Sequence, residues 1–171
     1  MRPPSIQIQS VELALGANDW HCELVEGRDV LRSVFQAYNV RAEFTAQAFP
    51  ELNALSVVTE TPMPVDESHI PPLLELLARA NKQLTLGGFE FDLDRHRLVF
   101  RITNLFEREK YDADIITSMV HCAVAELDRL APIAGELVNT SEDDLHDLDP
   151  AALLDREDML PPTPEDGGYL D

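Results

Sequence analysis

The sequence predicts an α+β protein: a largely antiparallel five-stranded sheet with helices in the order α-β-β-β-α-β-β-α. Three observations carry that prediction. Apolar residues recur every three or four positions at Ile70, Leu73, Leu77, Ala80 and Leu84, which sets them on one face of a helix. Past Gly87-Gly88 the period drops to two, with Phe89, Phe91 and Leu93 opposed to Glu90, Asp92 and Asp94, the alternation of a half-buried strand. Further alternating or β-branched runs precede that helix, and a longer helical stripe follows the second strand.

Taken in order, the chain opens with Ile8, Val11 and Leu15 closed by Gly16, the spacing of a short amphipathic helix, although Ile6 and Ile8 also alternate like a strand. Trp20, after the turn, is expected to tuck against the core. Val30 to Ala37, Val40 to Ala48 and Ala54 to Thr61 read as a meander, broken at Tyr38-Asn39 and at Pro50 to Asn53. Ser68 is the expected N-cap of the central helix, with Asp66 and Glu67 near the positive end of its dipole and Pro71-Pro72 in its first turn. Leu98, Phe100 and Ile102 make the second strand of a hairpin closed over Asp94 to Arg97.

Asp112 caps the last and longest helix, which carries Ile116, Met119, Ala123, Leu127, Leu130, Ala134 and Leu137 on one face. Pro132 inside it removes a backbone donor, so a kink near Asp128 or a break at Pro132 is expected. Residues 1–140 therefore read as a single α+β domain. Residues 141–171 read as an acidic, flexible C-terminal tail, disordered or loosely docked through Leu145, Leu148, Leu153, Leu154, Met159 and Leu160.

Composition bounds the function. The 171 residues are 44% hydrophobic, enough for a real core, and carry a net charge of −19. The segment from Ser141 to Asp171 holds eleven acids against the single base Arg156. A phosphate polymer is repelled by such a surface, so no nucleic-acid partner is expected; basic or amphipathic polypeptides suit it better. No apolar run approaches the roughly 20 residues that span a bilayer, and no apolar stretch follows Met1-Arg2-Pro3-Pro4, so the expectation is a cytoplasmic protein without a membrane partner.

Candidate chemistry is sparse. Glu90, Asp92 and Asp94 form a carboxylate row, but general acid/base work needs environments that separate two pKa values, and an alternating row of acids is what a solvated strand face presents. Arg95, Arg97 and Arg101 are placed to partner the row across the hairpin. His21-Cys22 and His121-Cys122 invite a metal or thiol reading, yet adjacent helical residues point apart and four ligands are needed. His69, His96 and His146 are expected to be solvated, and the two cysteines to be buried free thiols. Gly87-Gly88 lacks the Lys-Ser or Lys-Thr of a phosphate loop and reads as a turn. No catalytic residue, no cofactor and no metal is therefore expected, and the protein is not expected to be an enzyme.

Arg79-Ala80-Asn81, Gly88-Phe89-Glu90-Phe91-Asp92, Leu98-Val99-Phe100-Arg101 and the acid-then-proline pattern from Asp128 to Pro132 together resemble the YbjN family of bacterial proteins, often labelled sensory transduction regulators. The likeness covers roughly residues 8 to 138. It implies a fold like that of class I type III secretion chaperones: a small acidic protein, commonly a homodimer, that offers an apolar surface to a polypeptide. Arg95-His96-Arg97 departs from the family's acidic-glycine turn, and the acidic tail is outside its pattern. The expected function is a non-enzymatic protein-binding module, chaperone-like or regulatory. The alternatives are an interaction protein acting through its acidic tail, or an enzyme using the surface carboxylates.

Overall fold

The computed structural model describes residues 3–156 and 158. The helices are α1 (Ile6–Ala17), α2 (Ile70–Gln83), α3 (Ala113–Asn139) and α4 (Pro150–Leu154). The strands are β1 (Glu23–Leu24), β2 (Val30–Gln36), β3 (Arg41–Phe49), β4 (Ala54–Pro62), β5 (Gly88–Asp92) and β6 (Arg97–Leu105), joined in one sheet in the order β1-β2-β3-β4-β6-β5. Every pairing is antiparallel. The expectation of five strands is corrected to six: Glu23 and Leu24 pair with Arg32 and Leu31. Two residues are too few to show a period, which is why the sequence hides them.

The register sorts the sheet into two faces. Leu31 and Phe35 of β2, Ala42, Phe44, Ala46 and Ala48 of β3, Leu55, Val57 and Thr59 of β4, and Leu98, Phe100 and Ile102 of β6 are turned to one side, and α1, α2 and α3 cover it. Trp20 is buried there, edge-on to Phe35 and His121 at ring distances of 5.6 and 5.2 Å. The Thr59 hydroxyl also faces the helices and donates to the Ala123 carbonyl at 2.8 Å, which satisfies it inside the core.

The helices α1 and α3 start as their caps dictate, whereas at α2 the N-cap position falls on His69, not Ser68, and no side chain caps it. Ser5 Oγ accepts from the Ile8 amide at α1, and Asp112 Oδ1 accepts from Asp114 and Ile115 at α3. Pro132 does not break α3, which runs unbroken for 27 residues. Proline has no N–H, so the carbonyl of Asp128 four residues back loses its helical donor. The Asn39 side-chain amide donates to it instead, at 3.1 Å. The fully buried Asp128 carboxylate meanwhile accepts from the Asn39 and Val40 amides at 2.6 and 3.1 Å. One helical residue thus fastens the β2–β3 turn to α3.

The turn before β5 is equally constrained. Gly87 has φ 71°, and a Cβ there would sit 2.5 Å from the Phe100 ring and 2.8 Å from the Arg101 carbonyl. Only glycine fits. Across that turn the Asn81 side chain accepts from the Phe89 amide at 2.6 Å and donates to the Phe89 carbonyl at 3.0 Å. Since β6 lies on the other side of β5, Asn81 occupies the strand's outer edge.

Past α3, the chain makes a 3-10 turn at Leu145–Asp147 and then α4, which packs on α2 and α3 with Leu153 and Pro150 buried. This fourth helix lies within the segment read from sequence as a tail. Met159, Leu160 and the Pro- and Gly-rich end of that segment lie outside the described residues.

Candidate functional site

Of the carboxylates singled out in the sequence, Glu90 and Asp92 end up on the uncovered sheet face, which also carries a groove of about 780 Å3 lined by Arg32, Glu43, Thr45, Glu60, Arg95 and Arg101 among others. They are not brought together as an acid/base pair. Glu90 holds Arg101 through two contacts at 2.8 and 3.2 Å. Asp92 Oδ1 accepts from the Asp94 and Arg95 amides and so caps the β5–β6 turn. Asp94, expected on the strand with Asp92, lies in that turn, exposed, because β5 ends at Asp92.

Arg97 faces Asp92 in register, yet its guanidinium turns inward to Glu43 at 2.9 Å and Glu60 at 3.1 Å. Those two glutamates stand directly opposite each other on β3 and β4, a repulsive arrangement on its own. Arg97 between them and Arg95 on Glu60 at 2.9 Å remove the repulsion. The face is a compensated ionic lattice in which Glu43, Glu60 and Glu90 are each held by an arginine. The hydrogen bond to Glu90 and the Glu60 contacts raise the Arg101 and Arg95 pKa values respectively, which keeps both cations charged.

The histidine and cysteine pairs are far apart in role. His21 offers its carbonyl to Ser33 Oγ, whereas His121 meets Trp20 edge-on. Both cysteines are half-buried free thiols; burial, then Glu12 for Cys22 and Glu126 for Cys122, pushes each thiol up. Among the described residues no group of three or more His, Cys, Asp or Glu is placed to hold a metal. His146 is exposed as expected, and His96 is part-buried, accepting the Val65 amide at 3.4 Å. His69 corrects the expectation of a solvated ring: it is 3% exposed, wedged between the start of α2 and the end of α3.

What the sequence reading did not find is an apolar end to the molecule. Leu13 of α1 (70% exposed), Leu86 before β5 (63%), Leu105 at the end of β6 (72%) and Ile115 of α3 (41%) crowd around the α3 N-terminus. They line two adjoining grooves of about 740 and 420 Å3 that share Ile115. Phe49, Ala54 and Leu105 follow one another in register across β3, β4 and β6, so the strip continues onto the open sheet face. Exposed apolar side chains scattered singly need no explanation, but a contiguous set does.

The floor beneath is rigid. Tyr111 stacks on Phe106 at 4.2 Å, donates its hydroxyl to the Ala54 carbonyl at 2.7 Å and is 2% exposed. Burial, helped by Asp29, has pushed its phenol up to about 12. The one available signal was that Leu13 lies off the stripe Ile8, Val11, Leu15, on a helix whose apolar residues are not confined to one face.

The fold and its surfaces define a six-stranded antiparallel sheet with helices on one face, distinguished by an apolar end more than by any ionisable cluster. The chain belongs to the YbjN family: the family described as "Putative bacterial sensory transduction regulator" matches residues 7–135. Among solved structures, the crystal structure of YbjN from E. coli is similar to it, with a TM-score of 0.51 and 11% identity over 78% of this chain and 93% of that one. No curated protein matches the sequence. No helix among the described residues is long and apolar enough to cross a membrane.

Proposed function

We propose that this protein is a non-enzymatic regulatory module that presents an apolar surface to a partner polypeptide, in a chaperone-like manner. The observation that supports the reading is the cluster of Leu13, Leu86, Leu105 and Ile115 around two adjoining grooves, on a rigid floor. Grooves of this kind receive the apolar face of a short helix or an extended segment. With a net charge of −19 on the chain, a basic or amphipathic segment is the favoured occupant. The reading includes a cytoplasmic homodimer whose unit is the domain of residues 1–140, with the acidic segment as its appendage.

The test is capture of a partner from a bacterial lysate by three forms of the protein, each sized beforehand by light scattering. These are the full chain, a chain ending at Arg156, and the full chain with Leu13→Asp and Leu105→Asp. Ending at Arg156 leaves α4 in place, so apolar surface beneath it is not bared artificially. The expected result is one partner captured by the first two and lost from the third. Capture that survives both aspartates, or that vanishes with the last residues of the chain, overturns the reading.

A further inference from the structure

His69 is the only fully buried imidazole among the described residues, and its contacts need more protons than a neutral ring can supply. Its Nε2 lies 2.7 Å from the Thr140 carbonyl, and its Nδ1 lies 3.0 Å from Ser68 Oγ. Ser68 Oγ in turn lies 2.8 Å from Glu142 Oε1. These are three hydrogen bonds in a row. The carbonyl and the carboxylate only accept, the hydroxyl carries one proton, and a neutral imidazole carries one. Two protons cannot fill three links: if Ser68 donates to His69, the Glu142 contact sets oxygen lone pairs against each other, and if it donates to Glu142, the single ring proton fills either the Ser68 or the Thr140 contact and leaves the other with opposed lone pairs.

We infer that His69, Ser68 and Glu142 form a proton-operated clasp, closed when His69 is an imidazolium, that fastens the segment following α3 to the start of α2. With both ring nitrogens protonated, Nε2 donates to Thr140, Nδ1 donates to Ser68, and Ser68 donates to the Glu142 carboxylate. Every link is then satisfied, and the chain of bonds joins opposite charges. The closed state binds one proton more than the open one, so falling pH favours closure and rising pH favours release.

The charged groups on the elements packed around the ring are mostly acids. Asp66 and Glu67 belong to its own turn, and Glu136 on α3 is held by Arg156 at 2.9 Å. Glu142, Asp143, Asp144, Asp147 and Asp149 belong to the segment being clasped, together with His146. That segment leads directly into α4, whose Pro150 and Leu153 are buried against the domain. Opening the clasp therefore loosens the tether that keeps those apolar contacts covered. The clasp stands apart from the apolar grooves near Ile115, so either idea can fail without the other.

The experiment is amide hydrogen exchange on the full chain at about pH 6 and about pH 8, corrected for the intrinsic pH dependence of exchange. It is read at Asp147, Leu148 and Leu153, whose amides bond within the segment. A charge-assisted bond is about twice as strong as a neutral one, so protection about fivefold greater at the lower pH is expected. Ser68→Ala, at an exposed position, should remove the difference without unfolding the domain, and Glu142→Gln should reduce it. His69→Gln serves as a further variant if it folds. Ring 15N shifts give an independent reading: both His69 nitrogens should be protonated at the lower pH. A neutral ring there, protection that does not change with pH, or a pH effect that persists in Ser68→Ala overturns the inference.

Discussion

At the two ends of β3 the molecule treats polarity in opposite ways. Where β3 begins, beside the Tyr38-Asn39 turn, a full carboxylate has been taken inside: Asp128 is completely buried and binds two turn amides. Where β3 ends, at Phe49, apolar side chains are left outside, with Leu105 72% exposed in the same cross-strand row. The first arrangement explains itself within one chain. The turn amides of Asn39 and Val40 need acceptors, a proline-freed carbonyl needs a donor, and Asp128 and Asn39 supply both. The second has no such internal reason, since Leu13, Leu105 and Ile115 leave uncovered the surface that folding elsewhere hides. The difference separates a device for the fold from a surface held for something else.

The sharpest way to break that comparison is Asp128→Ala. It takes the acceptor from the Asn39 and Val40 amides of the β2–β3 turn, and a loss of about 3–4 kcal/mol is expected in urea unfolding, because each bond to a charged acceptor is worth about 1.5–3 kcal/mol. Near-neutral stability would mean that the buried carboxylate, whose Oδ2 has no hydrogen-bond partner, is not what fastens the β2–β3 turn to α3.

Tyr111→Phe tests the floor at the other end. Losing the hydroxyl bond to Ala54 should cost about 1–2 kcal/mol at neutral pH. The same variant should change the alkaline limb. The folded phenol is pushed up to about 12 and the unfolded one ionises near its ordinary value, so the unfolded state loses its proton first. Stability from this group is therefore full below about pH 10 and falls between about pH 10 and 12. Unfolding followed across that range should show a shallower decline in Tyr111→Phe; equal declines would remove Tyr111 as the cause.

The smallest expected effect on stability is the most telling for function. Leu13→Asp and Leu105→Asp should each change stability by no more than about 0.5 kcal/mol, since these side chains already face water. Losses of about 2 kcal/mol or more would show that the two leucines hold the fold together, and the contrast between the ends would disappear.

Much of the fold was legible because it rests on local signals. Asp112 sits one residue before α3 and caps it, Gly87 marks the turn into β5, and the alternation of Val40 to Ala48 sorts β3 into its faces. What was hidden depends on partners distant in sequence. Pro132 looks like a helix breaker until Asn39, from another element, supplies the missing donor. His69 looks solvated in a polar turn until the end of α3 arrives to cover it. Leu105 looks like one more strand residue, and only the place where β6 stops shows that nothing lies over it.

Asn81 bears on a hazard that every open sheet carries. A bare edge strand is a template on which another chain can grow, the first step toward fibrous aggregates. At β5 the seat for an incoming strand is already taken at Phe89 by a side-chain amide that imitates a neighbouring backbone. Any polypeptide that tried to extend the sheet there would first have to evict Asn81 and would regain in exchange only the two bonds it displaced. The protein therefore leaves an apolar end uncovered while guarding this edge at Phe89 against a further strand.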